Sequence, residues 1–209
     1  MRASQFQAVA LAAGLVGWNG LISPRIPEHV RPLVNAGLGA GLVAAARAPL
    51  GLRPPQLWPG LRTGLAAAAP VMIGVAASTT ASPVRAAMGE RDLPTSPARW
   101  LAVRIPVGTV WSEEAAFRAA LGTVAADAFG STRGRLLQSL AFGLSHIDDA
   151  RNAGEPALGT IVVTGVAGWL FALLLEKSGS LAAPMLAHLA INEAGAVAAL
   201  AVQGSQVRG

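Results

Sequence analysis

Read for its hydrophobic and polar positions, the chain is a series of long apolar stretches cut by short polar connections. The apolar stretches fall near residues 6–23, 32–50, 63–79, 101–126, 134–147, 157–176 and 181–203. Between them lie SPRIPEHVRP, GLRPPQLWPGLR, TTASPVRAAMGERDLPTSPARW, FGSTRGR, HIDDARNAGEP and EKSGS, whose proline, glycine and charge interrupt helices. A spanning helix needs roughly 20 mostly apolar residues, so the pattern predicts an all-α, polytopic transmembrane bundle of about seven helices. The stretch at 134–147 is short for a full crossing; it crosses part of the bilayer or is extended by its neighbours. In GLRPPQLWPGLR, arginine and tryptophan flank apolar sequence, as in a linker at the membrane surface. No internal repeat stands out, and 1–209 reads as a single integral-membrane domain.

Composition agrees with the pattern. Of the 209 residues 53% are hydrophobic and 13% charged, against about 25% charged in a soluble domain. Lys and Arg number 16 against 11 Asp and Glu, but they are spread one or two per connection, which argues against a nucleic-acid-binding face. Cysteine is absent, so disulfides and thiolate metal sites are excluded. Met1 and Arg2 followed by an apolar run have the outline of a signal peptide, yet the further apolar stretches favour a retained first span. No lipidation motif is found at either end. Arginines assigned to alternate connections give nearly equal totals, so the positive-inside rule leaves orientation open. Gly37 and Gly41, one turn apart, either let two backbones approach or simply reflect an Ala/Gly-rich chain. That Ala/Arg/Gly-rich, Lys-poor composition points to a high-GC prokaryotic genome, hence a prokaryotic cell membrane.

Charge inside apolar sequence changes the picture. Each such group costs on the order of 2.5–3.5 kcal/mol to insert, and VWSEEAAFRAAL carries three. Glu114 and Arg118 lie roughly 40° apart on an α-helical wheel and can pair, whereas Glu113 and Arg118 lie roughly 140° apart. The arginine can neutralise one carboxylate while the other points elsewhere. Taken alone this is equally a structural ion pair. On the next helical run Phe142 precedes His146 by one turn, and on the last His188 precedes Asn192 by one turn. Singly these read as interfacial or interhelical hydrogen-bonding residues; three helices of this kind together predict a polar catalytic cavity within the membrane. Pro106 and Pro184 lie one or two turns before reactive residues, where interior prolines kink helices. His29, in the first connection, reads as surface.

Glu113-Glu114-Ala-Ala-Phe-Arg118, Phe142-Gly-Leu-Ser-His146 and His188-Leu-Ala-Ile-Asn192 resemble, in order, the E-E-x-x-x-R, F-x-x-x-H and H-x-x-x-N/B motifs of the CAAX prenyl protease and bacteriocin-processing (Abi) family of intramembrane proteases. The resemblance covers roughly residues 100–195, the motif-bearing core; the spans at 6–79 are less diagnostic. Ala119 stands where the family often has glycine. The resemblance implies an intramembrane endopeptidase acting on a membrane-associated protein or peptide. Glu113 would be the general base on a water, Arg118 would hold Glu114, His146 would orient the water and pass a proton to the leaving amine, and His188 and Asn192 would stabilise the oxyanion. Phe142 would support them. Glu113, His146 and His188 could instead ligate zinc; a metal-free glutamate mechanism without a cofactor is the expectation, since no H-E-x-x-H is present. A proton-coupled transporter, for which matched half-helices are lacking, or an inactive scaffold of the same family are the rival readings. Substrate identity and oligomeric state are not legible.

Overall fold

A computed structural model describes residues 2–206. In chain order the helices are α1 (Ala3–Arg25), α2 (Arg31–Ala46), α3 (Leu57–Ser78), α4 (Ser82–Glu90), α5 (97–129), α6 (Ser131–Leu144), α7 (Ile147–Ala153), α8 (Ala157–Ser178) and α9 (Ala182–Gln206). Each of the seven predicted apolar stretches is helical. The expected count is nonetheless corrected: α4 and α7 are short additional helices inside the third and fifth connections. The breakers act where the sequence put them. Pro32 opens α2 and Arg47 closes it in the left-handed region, while Gly154 and Gly179, with φ of 71° and 67°, close α7 and α8.

By length and composition α1, α3, α8 and α9 can each cross a membrane, and their outer faces bear this out. Leu158 is 74% exposed, Ile73 and Val163 69% and Phe6 63%. Contiguous apolar surface of this kind suits lipid, where backbone polar groups are already satisfied inside each helix. The chain is an integral membrane protein. At 14 residues α6 is about 21 Å long and does not cross by itself.

The interior is built from small residues and a few large ones. α3 lies along α9 and α6 along α8, while α2 packs on α5. Close approach depends on particular glycines. A Cβ on Gly39 would sit 3.1 Å from the Ser112 carbonyl of α5, and one on Gly143 only 2.5 Å from the Ile161 carbonyl of α8. Gly37 and Gly41, the pair singled out in the sequence, meet nothing within 4 Å. The face of α2 that contacts α5 is therefore the one carrying Gly39, and no helix among the described residues approaches closely at Gly37 or Gly41.

The long helix α5 is wound as a wide π-helix over Trp100–Trp111 and again over Glu114–Leu121. π turns are uncommon and concentrate at functional sites. Pro106 lies in the first of these segments, where its missing N–H interrupts the regular ladder as expected. Pro184 differs from expectation. It is the third residue of α9, in a first turn whose N–H groups lack intrahelical partners anyway, so it starts the helix and does not kink it.

Candidate active site

The second π-helical segment faces the bundle interior, and Glu114 to Leu121 are all buried. Glu114 is 0% and Arg118 2% exposed. Arg118 Nε lies 3.0 Å from Glu114 Oε2, although its N–H is not aligned for a hydrogen bond, so the contact is an ion pair held by charge. The guanidinium stacks over Phe142 of α6, 3.7 Å from the ring centroid, and stands 5.1 Å from Phe171 of α8. Two ring faces and one carboxylate thus compensate the buried cation.

Glu114 has a second partner. Its Oε1 accepts from His188 Nδ1 at 2.8 Å. A carboxylate beside Arg118 is an acceptor, so the imidazole proton sits on Nδ1 and the lone pair on Nε2. His188 is 6% exposed and stacks on Phe171 at 5.0 Å. His146 is oriented in the same manner by a different acceptor. Its Nδ1 donates to the Phe142 carbonyl at 2.7 Å, leaving Nε2 bare, and its ring meets the Phe142 edge at 4.6 Å. It occupies the turn between α6 and α7 as the cap residue of α7.

Both bare nitrogens face Glu113. Its Oε2 lies 3.8 Å from His188 Nε2 and 4.0 Å from His146 Nε2. That oxygen is buried and has no hydrogen-bond partner. Glu113 and Glu114 therefore do opposite things, one facing the cavity and the other locked behind it, as the helical wheel anticipated.

Glu113, His146, His188 and Asn192 line a cavity of about 670 Å³. It is walled by the end of α1, the start of α2, the first half of α5, α7 and α9. Asn192 Nδ2 donates one hydrogen to the His188 carbonyl at 3.1 Å, leaving the other. His29 is exposed and lies outside the cavity. Asp149 of α7, an exposed residue, also lines it; partial burial of its carboxyl pushes it above the ordinary carboxylate range, nearby His146 partly offsets this, and Asp148 adds to it.

Sequence reasoning named Glu113, His146, His188 and Asn192 among the cavity's polar side chains, and the ion pair behind them. It missed Phe171, Asn35 and Asp149. Phe171 sits in an unbroken apolar run and gave no signal. Asn35, which accepts from Trp18 Nε1 at 3.0 Å and ties α1 to α2 at the cavity wall, was a lone amide in apolar sequence and could have been flagged.

The three zinc-ligand candidates are compatible in kind, and the two Glu113 separations are 3.8 and 4.0 Å. Ligand atoms about a tetrahedral zinc lie roughly 3.4 Å apart, less than either Glu113 separation. Among the described residues no group of three or more His, Asp or Glu could hold a metal ion.

Residues 95–194 match a family model described as type II CAAX prenyl endopeptidase Rce1-like. The match spans all three motifs and agrees with the CAAX-protease resemblance read from them. Neither a curated protein nor a solved structure matches the chain.

Proposed function

We propose that this integral membrane protein, Rce1-like over residues 95–194, is an intramembrane endopeptidase in which Glu113 activates the water that attacks a peptide bond of a membrane-associated substrate. One observation carries the reading: an unpartnered, buried carboxylate oxygen stands between two bare imidazole nitrogens at the wall of a polar cavity. Oxygen and nitrogen atoms 3.8–4.0 Å apart can both hydrogen-bond one water at about 2.8 Å, with an angle of about 90° at the water. One water hydrogen then points at Glu113 and the other at an Nε2 lone pair.

The chemistry follows from that arrangement. As the water oxygen bonds to the carbonyl carbon, its proton passes to Glu113 and the carbonyl π pair moves onto oxygen. When the tetrahedral species collapses, the C–N bond breaks and the leaving nitrogen takes the proton back from Glu113 by way of His146 Nε2. The oxyanion donors are narrower than the sequence suggested. Asn192 has one free N–H to offer. His188 has its neutral proton committed to Glu114, so it donates from Nε2 only as imidazolium, with the Glu114 carboxylate balancing its charge. Each well-placed donor is worth about 3 kcal/mol. Arg118 is a positioning residue, holding Glu114 and through it the tautomer of His188.

The steps above use no metal, and the Glu113 separations of 3.8 and 4.0 Å, wider than those about a tetrahedral zinc, support that reading. Cleavage is expected to survive strong zinc chelators; loss on chelation with recovery on adding zinc would favour the zinc reading instead.

Glu113→Gln, His146→Ala and His188→Ala test the proposal. Each is expected to cut cleavage by at least about 100-fold while the protein still inserts and runs as a single species in detergent. Retained cleavage in Glu113→Gln would refute the assignment of the base, and misassembly of all three variants would mark the polar residues as structural.

A further inference from the structure

Behind the active site, at the opposite end of the bundle, α5, α6 and α8 enclose a second cavity of about 340 Å³. Arg118 lines it, so the Glu114–Arg118 pair is the partition between the two cavities. The rest of its polar lining includes Thr123, Ser131, Arg135, Gln138 and Glu176. None of these belongs to the proteolytic machinery.

Three observations point to an anionic ligand. First, Arg135 is held ready: Nη2 meets Glu176 Oε2 at 3.1 Å, the guanidinium lies 4.5 Å over Trp169, and the side chain is 12% exposed. Its Nε is nevertheless buried with no partner. Second, the buried Arg118 has Nη1 and Nη2 without hydrogen-bond partners. A guanidinium carries five donors in a planar fork suited to phosphate, and most of those on these two arginines are uncommitted. Third, the surrounding surface is basic. Arg47, Arg53, Arg62, Arg133 and Lys177 are exposed at this end, opposed by Asp127 and Glu176. At the other end arginines stand among Glu28, Glu90, Asp92, Asp148 and Glu155. A basic end attracts the anionic leaflet.

We propose that this cavity binds a phosphate group, with Arg135 and the Ser131 hydroxyl as its main ligands and Arg118 closing its floor, and that the phosphate is the diester of an anionic phospholipid headgroup. Glu176 at the rim discriminates by charge. A singly charged diester meets less repulsion there than a doubly charged free phosphate. The site does not depend on the protease reading, since its readout is binding.

The test uses the purified full chain in detergent micelles doped with phosphatidylglycerol or phosphatidylcholine. Retained lipid is counted by native mass spectrometry, and inorganic phosphate is added as competitor. Wild type is expected to retain phosphatidylglycerol but not phosphatidylcholine. Arg135→Gln should weaken retention about tenfold and Ser131→Ala severalfold, whereas Arg62→Gln, basic and at the same end but outside the cavity, should change little. Should Arg135→Gln fail to fold, Ser131→Ala against Arg62→Gln decides. Displacement of the lipid by inorganic phosphate, or stabilisation by phosphate alone, supports the phosphate site and in the second case assigns it to the free anion. Equal retention of both lipids with no effect of phosphate, or equal loss in Arg62→Gln and Arg135→Gln, overturns it.

Discussion

At the scale of single residues, Arg118 is the most exacting choice in the chain. A buried cation is tolerable only when its partners remain, and removing one side of a buried pair typically costs about 3–5 kcal/mol. Arg118→Met should therefore destabilise the bundle by about that amount, because Glu114 would be left buried and charged. Glu114→Gln combined with Arg118→Met should recover much of the loss, and thermal melting in detergent compares the two. Asp149 gives a second test with a definite sign. Its folded carboxyl titrates above its unfolded one, so its charged form costs stability, and that cost appears as pH rises through the unfolded value. Asp149→Asn should raise the melting temperature slightly at neutral pH, since the exposed side chain is partly screened by solvent, and the gain should vanish in acid; a gain independent of pH would contradict the partial-burial account. Glu113, Glu114, Arg118, His146 and His188 were legible in the sequence because charge in apolar surroundings is conspicuous. The hydrogen bond from His188 to Glu114 was not, since it joins helices 74 positions apart.

At the scale of elements, the helices were readable from period and length, and their local winding was not. Wheel angles for an α-helix paired Glu114 with Arg118, and that pairing survives in a segment wound as a π-helix. Whether a helix widens depends on what it packs against, and the sequence of α5 shows only Pro106 as a local cause. Packing faces were equally hidden, as Gly37, Gly39 and Gly41 illustrate: one of three similar glycines touches a neighbour. Substitution separates them. Gly143→Val would drive a side chain into the backbone carbonyl of Ile161, forcing α6 from α8 beside Phe142 and His146. It should cost about 1–3 kcal/mol or more and reduce cleavage. Gly37→Ala, with open space around it, should be neutral or slightly stabilising through helix propensity. Similar melting temperatures for the two variants would contradict the packing described.

At the scale of the whole molecule, the membrane class was written in the composition, and the two ends of the bundle were not. Arginines alone divide nearly evenly between connections, which is why orientation could not be read from them; only the fold reveals that acidic residues gather at the active-site end. The fold also brings three distant motifs to one cavity, and the central claim is that this cavity hydrolyses peptide bonds with a water activated by Glu113. The most direct measurement incubates membranes containing either the wild-type chain or Glu113→Gln, at matched expression and verified fold, in water enriched in oxygen-18. New carboxyl termini are then read by mass spectrometry. The account predicts termini that carry one heavy oxygen and occur with the wild type alone. Identical termini in the two samples, or labelled cleavage persisting in Glu113→Gln, would contradict it.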